Sequence, residues 1–160
     1  MKIIGIVGWK NSGKTYYAQK IIKKLRKKGY SVASIKHAHH DFDIDKPQTD
    51  SFLHRKAGSQ QVIISSSKRW VKIAELENNP EKNLNELIEE LSTTDIVIVE
   101  GFKNDNHPKI EIIKEISKSY LFNQISNVVA LISDIEIDSN IIQFKKNEID
   151  LIVNFIINDL

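Results

Sequence analysis

A three-layer α/β domain, with a mostly parallel central sheet and helices on both faces, is predicted by two features of the chain. Short apolar runs rich in β-branched residues do not alternate with polar ones, and amphipathic stripes of helical period lie between them. With 160 residues, the chain spans one domain, 1–160, large enough for a real core.

Taken in order, Ile3, Ile4, Gly5, Ile6 and Val7 read as a strand buried on both faces. Ala18, Ile21, Ile22 and Leu25 then recur at i, i+3, i+4, i+7 and Gly29 stops the helix. Val32 to His37 is a second strand, which completes a βαβ unit. The polar, acidic stretch from Ala38 to Thr49 has no period and reads as a long functional loop. A short helix over Asp50 to Ala57 is expected, ended by Gly58. Strands at Gln61 to Ser65 and Arg69 to Leu76 follow, forming an antiparallel hairpin around Ser65 to Ser67. Pro80 is the expected start of a helix carrying the stripe Leu84, Leu87, Ile88 and Leu91. Ile96 to Val99 is a strongly buried strand with a turn at Glu100 and Gly101, Lys109 to Lys114 alternates as KIEIIK, and Val128 to Ile132 is a third buried run. A last helix carries Ile149, Ile152, Val153, Ile156 and Ile157, with Asn147 as its expected N-cap and Asp150 three positions on.

Composition narrows function. Lys and Arg number 23 against 21 Asp and Glu, a surplus too small to favour nucleic acid as a partner. Zero cysteines exclude disulfide frameworks and thiolate chemistry and fit a reducing cytoplasm. No apolar run approaches the roughly 18 residues of a membrane span.

Gly8, Trp9, Lys10, Asn11, Ser12, Gly13, Lys14 and Thr15 match G-x-x-x-x-G-K-[ST] in full, between a buried strand and an amphipathic helix. Such a P-loop aims backbone N–H groups at a polyphosphate, and the helix N-terminus adds partial positive charge. Lys14 is expected on the β and γ phosphates, and Thr15 on Mg²⁺. Trp9 and Lys10 occupy freely variable positions. Glu100, after four apolar residues, is the expected metal-side acid, with Asp41 next in rank as a catalytic carboxylate just past the second strand. His37, His39 and His40 with Asp41, Asp43 and Asp45 lack the spacing of a closed metal site and suit a solvated or partner-contacting loop. His54, Arg55 and Lys56 are exposed basic residues or a phosphate or partner contact, and His107 beside Pro108 is ambiguous.

GIVGWKNSGKT, IKHAHHDFDIDKP, DSFLHRKAG, IVIVEGFK and VVALISD, in this order over nearly the whole chain, resemble the molybdopterin-guanine dinucleotide biosynthesis adaptor family, known as MobB. The resemblance implies a dimeric, P-loop, GTP-binding protein with at most weak hydrolysis. It implies a partner, the molybdenum cofactor guanylyltransferase that attaches GMP to molybdopterin, with molybdopterin or a molybdoenzyme as further partners. It places phosphate binding on Gly8 to Thr15, switch-like contacts on His39 to Asp45, the metal-side acid on Glu100 and guanine recognition on Asp134 after the third buried run. An N-K-x-D signature is absent, and Tyr16 stands where many members have a second threonine.

The competing reading is a small-molecule kinase using ATP, with Asp41 or Asp43 accepting the proton of an acceptor hydroxyl. It calls for an arginine-rich lid, and only Arg26, Arg55 and Arg69 exist, in separate neighbourhoods. A structural dimer with a vestigial P-loop is the third reading.

Overall fold

In chain order the elements are β1 (Lys2–Val7), α1 (Lys14–Lys27), β2 (Val32–Lys36), α2 (Asp50–Lys56), β3 (Gln61–Ser65), β4 (Trp70–Ala74) and α3 (Leu84–Glu89). There follow β5 (Ile96–Glu100), β6 (Lys109–Ile112), a 3-10 turn (Leu121–Asn123), β7 (Val128–Ile132), β8 (Ile142–Phe144) and α4 (Ile149–Asn158). These come from a computed structural model that describes residues 1–38, 41–116 and 119–160. The chain forms two units, Met1–His37 with Leu84–Leu160, and Ala38–Asn83.

The first unit is built on a six-stranded sheet of order β2-β5-β1-β6-β7-β8, every pairing parallel. Its apolar runs are buried on both faces, as unalternating strands require. On one face Ile4 and Ile6 pack with Ile21 and Leu25 of α1 and with Ile152, Val153 and Ile156 of α4. On the other, Val97, Val99 and Ile35 pack on Leu84 of α3, while Ile113, Leu131 and Ile137 form a separate cluster. The predicted α/β class with helices on both faces is what is seen.

Two local expectations are corrected, and one alternating pattern is buried throughout its strand. The helix after Pro80 begins at Leu84, so Pro80 lies upstream of it in irregular chain. The N-cap of α4 is Glu148 rather than Asn147, and the Glu148 carboxylate accepts from the Lys145 N–H at 2.8 Å, tightening the turn that leads into the helix. The alternation KIEIIK does not mark a half-exposed strand, because Lys109 and Glu111 are both 0% exposed.

Each buried charge is satisfied by backbone, which is the condition for burying it. Lys109 Nζ donates to the carbonyls of Asp105, His107 and Ser126 at 2.6, 2.9 and 2.9 Å. Glu111 accepts from the N–H groups of Leu121 and Phe122 at 2.9 and 2.8 Å, anchoring the 3-10 turn to the sheet. Burial raises the Glu111 pKa while these two bonds oppose the rise.

In the second unit, β3 and β4 form the expected hairpin, with Val62 opposite Ile73 and Ile64 opposite Val71. The Ser66 hydroxyl accepts from the N–H groups of Lys68 and Arg69 at 3.3 and 3.2 Å, so a serine-rich sequence closes the turn. Two strands alone are marginal. A polar staple adds to them: Arg55 Nε donates to Asp45 at 3.1 Å, Nη1 to Glu75 at 2.6 Å and Nη2 to Asp43 at 2.9 Å. The Arg55 and Asp45 side chains are only 12% and 4% exposed, so Arg55 is not the solvated basic residue its neighbourhood suggested.

Candidate functional site

Parallel register assembles the site at the C-terminal ends of the central strands, where ligands of such sheets bind. Ile6 of β1 pairs with Glu100 of β5, and Lys36 of β2 pairs with the same Glu100. The loop that leaves β1 at Gly8 therefore starts two residues beyond the level of the glutamate.

The loop itself is shaped by Gly8 and Gly13. Gly8 has φ 153°, and a Cβ on it would come within 2.8 Å of the Ile112 carbonyl. Gly13, at φ 99°, is the left-handed N-cap of α1. No acidic side chain lies in the first turn of α1 and no side chain caps it, so the N–H groups at that end are left for an anion. Lys14 Nζ reaches across the loop to the carbonyls of Gly8 and Trp9 at 3.0 and 2.9 Å. Burial holds its pKa below the ordinary lysine value, with Glu100 acting in the opposite direction.

Thr15 Oγ1 donates to Glu100 Oε1 at 2.8 Å, and Lys36 Nζ lies 3.2 Å from the same oxygen. A hydroxyl and a carboxylate in contact are hard oxygen donors of the kind Mg²⁺ prefers. Thr15 and Glu100, separated by 85 positions in sequence, are thus brought together as expected. Lys36 was missed, although its signal is the one that singled out Glu100: a charged residue ending an apolar strand.

Asp134 follows β7 at the same edge of the sheet and is exposed. Its Oδ1 accepts from the Lys146 N–H at 3.0 Å, and Lys146 Nζ lies 3.4 Å from Oδ2. The first of these contacts leads in holding the Asp134 carboxyl below its ordinary pKa, so it is a ready acceptor. Asp134 also contributes, after burial, to the raised pKa of Tyr17 on α1.

Trp9 is more constrained than a freely variable loop position implies. Its indole Nε1 donates to the Ser119 carbonyl at 2.9 Å, and Lys103 Nζ stands 5.6 Å from its ring centroid. Lys10 and Asn11 are exposed, whereas Ser12 is buried. Asp41 and Asp43 are exposed residues of the second unit, where Asp43 and Asp45 serve Arg55. His39 and His40 lie outside the described residues. Arg26 donates to the Tyr30 carbonyl at 2.8 Å, so two of the three arginines are committed to local structure.

The family model described as molybdopterin guanine dinucleotide synthesis protein B matches residues 3–134. A molybdopterin-guanine dinucleotide biosynthesis adapter protein of Escherichia coli K12 is 30% identical over 97% of this chain and 91% of its own length. The Haemophilus influenzae protein of the same name is 34% identical over 98% of this chain and 88% of its own length. A crystal structure of molybdopterin-guanine biosynthesis protein B superposes with a TM-score of 0.80 at 28% identity, covering 99% of both chains.

Proposed function

The chain belongs to the molybdopterin guanine dinucleotide synthesis protein B family, the adapters of that dinucleotide's biosynthesis, and from this membership we propose that it acts by holding GTP on its P-loop. The observation that carries the proposal is the Thr15–Glu100 contact of 2.8 Å beside an uncapped helix N-terminus.

In this reading the loop N–H groups from Gly8 to Thr15 and the Lys14 ammonium bind the polyphosphate, and Lys14 exchanges its carbonyl contacts for phosphate oxygens. Thr15 and Glu100 would hold Mg²⁺, which when bound offsets phosphate charge. Lys36 balances Glu100 within the site. Asp134 accepts from the N–H edge of guanine.

Chemistry by this chain alone is slow. Arg55 is held by Asp43, Asp45 and Glu75 and Arg26 by the Tyr30 carbonyl, so two of the three arginines are not placed to supply the charge stabilisation on which phosphoryl transfer draws. The nucleotide is presented instead to a partner, the guanylyltransferase that attaches GMP to molybdopterin, by an adapter acting as a homodimer.

Calorimetric titration with GTP and ATP analogues, with and without Mg²⁺, tests the proposal. GTP-selective binding that Lys14→Ala abolishes supports it. ATP preference favours the kinase reading, and binding indifferent to Lys14→Ala removes the assigned site.

A further inference from the structure

A cleft of about 570 Å³ opens between residues 9–12 of the P-loop and the residues that follow β6. It borders the loop at the end of β6, where Glu111, Ile112 and Ile113 all line it. Its volume lies in the range of small-molecule sites.

The walls carry a specific set of groups. Trp9 and Tyr120 supply aromatic surface, Lys10 and Lys114 cationic groups, and Glu115 an acceptor. Ser12 also lines the cleft, and its buried hydroxyl has no hydrogen-bond partner among the described residues. Trp9 is 45% exposed, yet its indole is held by the Ser119 carbonyl, so an exposed aromatic face is fixed in orientation before any ligand arrives. Glu111 stabilises that arrangement by holding the N–H groups of Leu121 and Phe122, two and three residues beyond Ser119.

We propose that this cleft is a second ligand site, beside the phosphate loop, for a planar heterocycle carrying a phosphate. The ring stacks on Trp9, the phosphate meets Lys10 and Lys114, and Glu115 accepts from an amino or ring N–H edge. Naming the heterocycle as a pterin rests on the family reading above; the stacking and charge argument rests on the cleft.

Equilibrium dialysis with neopterin monophosphate tests it, with neopterin and GMP as parallel arms, in the presence and absence of a non-hydrolysable GTP analogue. Retention of neopterin monophosphate alongside the bound analogue is expected, with neopterin weaker. Trp9→Ala and Lys114→Glu should each weaken retention about tenfold or more, the loss of one stacking or charge-assisted contact. Lys114→Glu should leave the analogue's affinity unchanged. No retention while the analogue binds overturns the site and leaves the nucleotide reading standing. Displacement by the analogue, or loss with Lys14→Ala, places the phosphate on the P-loop and also overturns it. Equal retention of GMP, sensitive to Lys114→Glu, makes the cleft a purine site instead. Failure of the analogue itself to bind strikes the nucleotide reading, while the dialysis still decides the cleft.

Discussion

The imidazole of His107 occupies the space that a side chain at position 5 would fill: a Cβ on Gly5 would stand 2.5 Å from His107 Nε2 and 3.0 Å from Lys109 Cγ. Strands β5 and β6 flank β1 on opposite sides, so residues 101–108, which join them, cross over β1. Gly5 is the position at which that crossing segment can approach the central strand.

Gly5→Ala should therefore destabilise the first unit by about 1–3 kcal/mol, the usual cost of overpacking a close-packed core. Urea unfolding reads it as a lowered midpoint at constant slope. Combining it with His107→Ala should cost less than the sum of the two single changes, since the residues are in contact. Strict additivity would mean that the imidazole moves aside freely.

His107 supplies a pH dependence. Burial, reinforced by the charge of Lys109, lowers its pKa from 6.5 to about 4. The unfolded chain binds a proton in that window and the folded chain does not, so stability is complete above about pH 6.5 and declines as pH falls toward 4. A shift of this size corresponds to a few kcal/mol, on the order of 3, at about 1.4 kcal/mol per unit. Unfolding free energy measured across the window should show that slope in the native protein and lose most of it in His107→Phe. An equal slope in the variant would assign the titration to other groups.

The residues of this crossing show where sequence reading stops. β1, the P-loop and α1 announce themselves by local pattern: an apolar run, a glycine motif and a helical stripe that follow one another directly. Glu100 is legible for the same reason, as a charge ending a strand. Lys109 and Glu111 mislead because alternation in four residues implies a wet face, while the carbonyls and N–H groups that dry them come from Asp105, Ser126, Leu121 and Phe122. Trp9 is similar, for its constraint is a carbonyl 110 positions away. β8 is three residues long, too short for any period to register.

Arg55→Met should loosen the second unit selectively. It leaves Asp45 without the guanidinium whose hydrogen bond leads in depressing its pKa. Hydrogen exchange over residues 43–75 should accelerate while the β1 and β5 amides stay protected. In the native protein the same staple is complete above the ordinary carboxylate pKa and is lost as pH falls through the depressed one, so acid should reproduce the effect. Uniform acceleration across both units would show that the staple serves the whole chain.

Glu100→Gln separates the charge of the metal-side acid from its shape. The amide carbonyl can still accept from Thr15 Oγ1, so the 2.8 Å contact and the fold should persist. What is lost is the negative charge that balances Lys36 at 3.2 Å and gives a divalent cation its carboxylate. The gain in GTP affinity on adding Mg²⁺ should shrink about tenfold, the scale of one lost charged contact. Affinity without Mg²⁺ should hold or rise, because a carboxylate no longer faces the phosphates and Lys36 is released toward them. Calorimetry in the two buffers reads both quantities on one sample. A parallel fall in both would mean that Glu100 acts by shaping the loop, and an unchanged Mg²⁺ increment would move the metal to other oxygens.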